Sequence, residues 1–371
     1  MIIGIDASRA NIKQKTGVEW YSYNLINELK KIDQSNHYIL YSRDKLLDEL
    51  GILPNNFENK ILEWPFQKMW TQIRLWHNAN IDKNDYLFIP AGIIPAIPIK
   101  KYKIITTIHD IAFLEYPQYF SKKELILQKI GLKLATTQAD KIITISNFSK
   151  QEIIKYTNSN PDKIFVTHLG YNNQKFFVEK NEEKFKNIKE KYNLPDKFII
   201  YIGRIEEKKN IINQIKAFQK FRAIHNDYYF ILIGHKGYNY DMIKKYLLDN
   251  GLYQNIIELG WVEENDLTVI LNMAILFMYV TNYEGFGLPI LEAQACGIPV
   301  ITSENTSQKE IAEDSVLYSM PSDIDKMAEN ILEIIDNKNN IKEKLIEKGF
   351  NNIKKFSWKE CAEKTLEIFN L

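Results

Sequence analysis

The sequence predicts an α/β protein built from two doubly wound domains in tandem. Short apolar, β-branched runs alternate with segments of helical periodicity along nearly the whole chain. The alternation stops in one polar stretch, 172–195, which is rich in Lys, Glu and Asn, and then begins again. Buried parallel strands joined by helices produce this pattern, and 371 residues suffice for two such domains.

The strands are predicted from apolar runs of five to seven residues. In the first half they are 1–7, 37–42, 60–64, 86–91, 103–108, 141–146 and 163–169; in the second half they are 198–203, 229–234, 256–260, 275–280, 299–303 and 315–319. We expect a domain boundary near 180, giving two Rossmann-like domains, 1–180 and 181–371. The last predicted helix, 357–369, is a candidate to pack back on the N-terminal domain.

Composition is that of an ordinary globular protein, with 45% hydrophobic and 26% charged residues. Cys296 and Cys361 show no metal-ligand or CxxC spacing, and no His/Cys cluster or DxD-like pair suggests a metal. We expect neither a metal nor a cofactor. No signal peptide and no run of 18 apolar residues is visible, so a cytoplasmic protein is expected.

Charge differs between the two halves. Residues 1–180 hold 24 basic and 18 acidic side chains, a net +6, whereas the remainder holds 24 and 29, a net −5. The basic half favours an anionic acceptor, peripheral contact with the inner face of an anionic membrane, or simply a solvated lysine-rich surface. The segment 121–139 has both basic and apolar residues, which suits a helix that lies on a membrane and equally a helix with a solvated basic face over an apolar core. A nucleic-acid partner is not expected.

The most informative stretch is NYEGFGLPILEAQACGIPVITS, 282–303, which follows a predicted strand and opens a helix. Its glycines allow close approach of a ligand, and the helix N-terminus offers free amides to a diphosphate. The amides come from four successive residues, Gly285, Phe286, Gly287 and Leu288. Two carboxylates, Glu284 and Glu292, flank the helix start and can accept hydrogen bonds from sugar hydroxyls.

This stretch resembles the glutamate motif of the family 4 retaining glycosyltransferases, which have the GT-B fold. The resemblance implies two Rossmann-like domains facing across a cleft, with the acceptor on the N-terminal domain and the nucleotide sugar on the C-terminal one. It implies that Glu284 contacts the donor sugar and that Glu292 contacts the ribose.

A second motif, YIGRIEEKKN at 201–210, places Arg204 and Lys209 on a strand-to-helix turn. It resembles the family's GR…K signature, whose cations hold the donor diphosphate. Lys208 is adjacent, and the register of the motif favours Lys209. Two fixed cations can stabilise a leaving diphosphate, which is a second reason to expect no required metal.

Two matches lie in the first half. His109 ends the strand TTIHD, where the resemblance places a histidine near the donor sugar, so His109 and Glu284 are the candidate catalytic residues. Gly17 follows the first strand in a loop that resembles the family's diphosphate loop, although several members have more glycines there. Gly234 and Trp261 end second-half strands, where the resemblance places the nucleotide base.

The resemblance implies transfer of a hexose from a nucleoside-diphosphate sugar to a glycan or lipid-linked acceptor, with retention of configuration. Segments 109–117 and 16–25 look most like mannosyltransferases of surface polysaccharide synthesis, so GDP-mannose is the first expected donor and UDP-sugars the second. Two alternatives are open: a non-catalytic protein that binds nucleotide sugars or glycans, and a sugar-nucleotide epimerase.

Overall fold

The computed structural model describes residues 1–66, 68–97 and 100–371, without the side chain of residue 48. The chain forms two compact units. Unit 1 comprises Met1–Gly170 together with Ser357–Leu371, and unit 2 comprises Tyr171–Phe356.

Unit 1 is a parallel sheet with helices in its connections. Its strands are β1 (Ile2–Asp6), β2 (His37–Ser42), β3 (Phe57–Ile61), β4 (Tyr86–Ile89), β5 (Lys103–Ile108), β6 (Lys141–Thr144) and β7 (Ile164–Val166), in the order β3-β2-β1-β4-β5-β6-β7. Its helices before residue 170 are α1 (Gly17–Ile32), α2 (Asp48–Gly51), α3 (Trp76–Ile81), α4 (Ala112–Glu115), α5 (Lys122–Gln138) and α6 (Asn147–Thr157). Shorter turns of π- or 3₁₀-helix are Trp70–Leu75, Pro117–Tyr119 and Pro161–Lys163.

Unit 2 repeats the plan with six strands. They are β8 (Phe198–Ile202), β9 (Tyr229–Ile233), β10 (Ile256–Gly260), β11 (Leu276–Tyr279), β12 (Val300–Ser303) and β13 (Leu317–Ser319), in the order β10-β9-β8-β11-β12-β13. The helices are α7 (Glu182–Tyr192), α8 (Ile211–Arg222), α9 (Tyr240–Asp249), α10 (Glu264–Met273), α11 (Leu288–Ala295), α12 (Ser307–Ala312), α13 (Ile324–Ile335) and α14 (Ile341–Ile353). Turns of 3₁₀-helix lie at Glu207–Lys209, Leu252–Gln254 and Lys338–Asn340.

Each sheet is the centre of its own core. In unit 1, Leu87, Ile104 and Ile142 from three adjacent strands are almost fully buried. In unit 2, Phe230 and Phe277 are fully buried. Strands covered on both faces need apolar side chains at successive positions, which explains the continuous apolar runs in the sequence.

The strand predictions agree with the structure except at β3. That strand was predicted at 60–64 and lies at Phe57–Ile61. It is the outer strand of the sheet, and Phe57 is the one buried residue of its five. The polar residues Glu58, Asn59 and Lys60 therefore resemble a loop in the sequence, whereas the apolar Leu62 and Trp64 lie in the loop after the strand.

The division between the units falls at Gly170, before the boundary expected near 180. The intervening segment packs on unit 2: Phe176 is buried, and the backbone oxygen of Lys175 accepts a hydrogen bond from Thr268 at 3.0 Å. The backbone N–H of Glu179 donates to Asn272 at 2.9 Å. These contacts explain why a stretch that is polar in sequence belongs to the second unit.

The final helix, α15 (Trp358–Asn370), lies in unit 1. Lys141 donates to the backbone oxygen of Ile368 at 2.6 Å, and the ring of Phe369 meets Phe88 edge-on at 5.7 Å. Gly170 allows this docking, because a Cβ there would lie 2.0 Å from the backbone nitrogen of Trp358. The chain thus returns to its first unit at its end.

We expect Gly170→Ala to lower the free energy of unfolding of unit 1 by about 1–3 kcal/mol, because backbone atoms have to shift to admit the methyl group. Urea unfolding followed by tryptophan fluorescence suits the test, since Trp261 is the one tryptophan of six outside unit 1. Gly17→Ala is the matched control, because a Cβ at Gly17 meets nothing within 4 Å. Coincident unfolding curves for the two variants would contradict the packing argument.

Candidate functional site

Two loops of unit 2 lie side by side at the carboxyl edge of its sheet. The loop 203–210 follows β8, the loop 280–287 follows β11, and these two strands are hydrogen-bonded neighbours. Strand order reverses between them, since β9 and β10 lie to one side and β12 and β13 to the other. Such a reversal opens a crevice, and both predicted motifs border it.

The structure brings Lys209 and Glu284 into direct contact in this crevice. Lys209 Nζ donates to Glu284 Oε1 at 2.6 Å, and each side chain is only 12% exposed. The hydroxyl of Tyr279 donates to the same oxygen at 2.9 Å. Burial, reinforced by Glu284, raises the pKa of Tyr279 well above its usual range, so the hydroxyl remains a donor. Partly buried charges persist when they are paired and hydrogen-bonded in this way.

Lys209 is held in place by residues for which no sequence motif indicated a role. It ends the short 3₁₀ turn, and Asn210 follows in the left-handed conformation with φ +57°. The side-chain nitrogen of Asn210 donates to the backbone oxygens of Val280 at 3.1 Å and Pro321 at 2.8 Å. The Gln214 amide donates to the backbone oxygen of Lys209 at 2.8 Å. These bonds tie the first loop to the end of β11.

The second loop presents a helix N-terminus, as predicted from its glycines and proline. Gly287 is the N-cap of α11 with φ +103°, a conformation that favours glycine, and Pro289 lies in the first turn. No side chain caps the helix, and the backbone N–H groups of Gly287 and Leu288 donate to nothing within the described ranges. Unpaired amides at the positive end of a helix dipole attract an anion.

Hydroxyl and amide side chains after β12 brace this loop. Ser307 Oγ lies 2.8 Å from the backbone oxygen of Glu284 and 3.1 Å from that of Phe286. The Asn305 side chain donates to the backbone oxygen of Asn282 at 2.9 Å. The sequence offered only a weak signal for these residues, because Ser and Asn after a strand are most simply loop or cap residues.

Phe286 and Gly285 can act only through their backbone. The Phe286 ring is buried and meets the Phe356 ring edge-on at 5.9 Å, and Gly285 is buried as well. The Phe286 ring therefore anchors the loop in the core of unit 2.

Glu292 lies one turn into α11 and is half-buried. Burial raises its pKa to about 7; Lys175 opposes the shift and Glu264 adds to it. Those two residues form an ion pair at 3.1 Å. Near neutral pH the carboxyl of Glu292 therefore exists in both protonation states, and its ionised form can accept two hydroxyl hydrogen bonds.

Arg204 does not join the Lys209–Glu284 cluster. Its side chain is 63% exposed, and its Nε lies 3.5 Å from Glu206 Oε2. The guanidinium is thus positioned at the mouth of the first loop, where solvent surrounds it.

Gly234 and Trp261 line a cavity of about 570 Å³ in unit 2, with Ile205 from the first loop on its wall. Trp261 is 49% exposed, so its indole lies at the rim rather than in the core. A Cβ on Gly234 would lie 1.9 Å from the backbone oxygen of Gly203, and φ is +143°. Close approach of the β8 and β9 ends therefore explains this glycine without a ligand.

In unit 1, His109 follows β5 and is half-buried. Its Nε2 lies 2.9 Å from the backbone oxygen of Pro90, and its ring meets Tyr21 edge-on at 4.8 Å. Burial lowers the pKa of His109, although Asp110 and Glu19 oppose the shift. A carbonyl only accepts, so the proton of the neutral ring is assigned to Nε2, and Nδ1 is left as an acceptor.

Gly17 is the first residue of α1, at the end of the loop after β1. A Cβ there meets nothing within 4 Å, so packing within unit 1 does not require glycine. Glu19 belongs to a capping box with Thr16 and forms an ion pair with Arg9 at 3.2 Å. The open space beside Gly17 is what a loop that a ligand approaches closely needs.

The described part of the chain contains no group of three His, Cys, Asp or Glu side chains arranged for a metal ion. Its helices include none that is long and apolar enough to span a bilayer.

Comparison with known proteins decides the family. The family description "Glycosyl transferases group 1" matches residues 181–352, and "Glycosyltransferase Family 4" matches 15–175. The chain is a glycosyltransferase. Together the matches span both units, and the border between them falls close to the border between the units.

Several relatives of this glycosyltransferase are similar over much of its length. O-antigen chain mannosyltransferase B of Escherichia coli is 28% identical over 374 positions, covering 96% of each chain. The longer serotype-specific mannosyltransferase WbdA of E. coli is 28% identical over 290 positions, which are 76% of this chain and 34% of WbdA. The structure of Anabaena Alr3699/HepE with UDP-glucose superposes with a TM-score of 0.76 at 15% identity, covering 100% of this chain and 99% of that one.

These comparisons confirm the predicted family and its GT-B pair of parallel-sheet domains. The expected cleft between facing domains stays a prediction, as do the roles of the individual site residues.

Proposed function

We propose that this glycosyltransferase moves a hexose from a nucleoside-diphosphate sugar to a glycan or lipid-linked acceptor in polysaccharide synthesis, with GDP-mannose as the first expected donor. The observation that supports this most is the Lys209–Glu284 ion pair beside the unpartnered amides of Gly287 and Leu288. A buried cation, an anion site and a carboxylate in one crevice match a diphosphate joined to a sugar.

The diphosphate is proposed to displace Glu284 from Lys209. A phosphate oxygen at the helix N-terminus would accept from Gly287 and Leu288 and attract Lys209 Nζ, while the exposed Arg204 folds over it. Charge grows on the diphosphate as the sugar leaves, so these donors stabilise the transition state more than the bound donor.

The two glutamates have separate proposed roles. Glu284, once released from Lys209, accepts hydrogen bonds from hydroxyls of the donor sugar, with Tyr279 still holding one oxygen. Glu292, one turn along α11, accepts from the ribose hydroxyls. Because burial raises its pKa to about 7, the ionised carboxylate, which is the better acceptor, predominates only above about pH 7.

Unit 1 is proposed to bind the acceptor and to complete the donor site. His109 is neutral at physiological pH because burial lowers its pKa, and Nδ1 can accept from a sugar hydroxyl. Gly17 leaves room for a diphosphate beside the loop that begins α1. Retention of configuration is proposed from the resemblance alone, through same-face attack assisted by the leaving phosphate.

The choice of mannose rests on sequence likeness. O-antigen chain mannosyltransferase B of E. coli matches 96% of this chain, whereas the Anabaena structure holds UDP-glucose. UDP-sugars are therefore the second proposed donors. The binding-protein and epimerase alternatives are not favoured, since both charged motifs are intact and both units match glycosyltransferases.

We expect Lys209→Met to weaken binding of nucleoside diphosphates by about 10- to 100-fold, the value of a charge-assisted hydrogen bond. Glu284→Gln should bind them at least as tightly as the wild type, because a competing anion is removed, yet lose turnover of the sugar donor. Isothermal titration and a donor-release assay measure the two effects.

Lys208→Met is the matched control and should bind like the wild type, because the neighbouring lysine is not assigned to the diphosphate. The assignment of Lys209 to the diphosphate would be overturned if Lys208→Met and Lys209→Met lost equal affinity for nucleoside diphosphates, or if Lys209→Met bound them like the wild type.

We also propose that no metal is required, since Lys209, Arg204 and the helix amides supply the positive charge. Turnover should stay within about twofold when EDTA is added, because removing a catalytic metal usually costs far more. A large loss that Mg²⁺ or Mn²⁺ restores would disprove metal independence.

Peripheral contact with an anionic membrane is proposed for α5. Ile126, Leu127 and Ile130 are 60%, 47% and 49% exposed on a helix that also carries exposed lysines. Apolar side chains in solvent beside cations are typical of helices that lie in a bilayer interface. Such contact would place the enzyme at the cytoplasmic face of the membrane.

The protein should sediment with vesicles that contain phosphatidylglycerol, and less so at high salt, because the attraction is screened. Lys122→Glu/Lys129→Glu should reduce binding, whereas Lys244→Glu/Lys245→Glu on α9 is the matched control. Membrane contact through α5 would be ruled out if the protein showed no salt-sensitive binding to these vesicles, or if both double variants lost vesicle binding equally.

A further inference from the structure

The cavity lined by Gly234 and Trp261 contains a carboxyl group with an unmet hydrogen bond. Glu258, on the outer strand β10, lies on its wall. Its Oε2 accepts from the hydroxyl of Tyr240 at 2.7 Å, whereas its Oε1 is buried and has no hydrogen-bond partner. No cation within the described ranges forms an ion pair with it. Lys236 extends instead over the Tyr240 ring, 4.6 Å from its centroid.

A buried carboxylate oxygen without a donor costs stability, so its retention on a cavity wall suggests a ligand that supplies one. An ionised carboxylate accepts hydrogen bonds and donates none. The ligand edge that meets Glu258 must therefore present N–H or O–H groups, and adjacent donors would suit it best.

One loop contributes both to the wall of this cavity and to the proposed diphosphate site. Ile205 lies on the cavity wall, and its neighbour Arg204 belongs to the diphosphate motif. Trp261, half-exposed at the rim, offers an aromatic face to a planar ring. Stacking on such a face tolerates any base, so it cannot by itself select one.

We propose that Glu258 makes the donor site selective for guanine. The Watson–Crick edge of guanine presents N1–H and the N2 amino group side by side, which two carboxylate oxygens can accept together. Uracil presents one N–H between two carbonyl oxygens, and the carboxylate would repel those oxygens. The adenine edge has one amino group beside an acceptor nitrogen. This inference rests on the proposed function and specifies the nucleotide of its donor.

The test is titration of the full chain with GDP, IDP, UDP and ADP. IDP is the sharpest probe, because hypoxanthine keeps N1–H and lacks the N2 amino group. The wild type should bind GDP about 10-fold or more tightly than UDP, with IDP between them, as expected for a bidentate contact. Glu258→Gln should bind GDP, UDP and IDP with affinities that differ by no more than about threefold.

Glu263→Gln is the matched control, since that side chain is 65% exposed and lies outside the cavity. Equal thermal stability of the two variants would exclude misfolding as the cause of a lost preference. The inference would be overturned if the wild type bound UDP more tightly than GDP, or if Glu258→Gln kept the preference for GDP. Turnover of a sugar donor would in either case still support the transferase function. Failure of every nucleotide to bind would instead reject the proposed function.

Discussion

A lysine and a glutamate from two loops meet at 2.6 Å where the strand order of the second sheet reverses. Removing one partner of such a pair leaves a largely buried charge uncompensated, so the ion pair stabilises one relative position of the two loops. Gln214 and Asn210 fix the first loop, and Ser307 fixes the second. The crevice is therefore preorganised. A phosphate that enters it can replace Glu284 as the partner of Lys209 without a change in the backbone of the two loops.

Much of the fold was predictable because parallel strands covered on both faces leave continuous apolar runs. The exception, β3, is an outer strand in which only Phe57 is buried, and its polar residues removed that signal. The border near Gly170 was not predictable either. The segment after it is polar overall, and only the buried Phe176 and a few backbone hydrogen bonds attach it to unit 2. Such sparse contacts leave little trace in a hydrophobicity pattern.

The candidate site was predictable where motif residues carry charge or glycine. Gly287 is recognisable from turn chemistry, Lys209 and Glu284 are recognisable from the motifs that they resemble, and the structure places all three in one crevice. Their supports were not. Asn210 and Gln214 act through contacts with Val280, about 70 residues away, and Tyr279 is only one more residue of an apolar strand in the sequence. Gly234 has a structural reason as well: the resemblance places it at the base site, and the backbone of Gly203 also requires glycine there.

A structure of the chain with a bound nucleoside-diphosphate sugar would show whether the diphosphate replaces Glu284 as the partner of Lys209. We expect a phosphate oxygen within about 3 Å of Lys209 Nζ and of the Gly287 and Leu288 amides, the distance of a charge-assisted hydrogen bond. The Glu284 carboxylate should have moved from Lys209 to a sugar hydroxyl. A bound donor whose phosphates lie away from both loops, with the Lys209–Glu284 pair intact, would contradict this replacement.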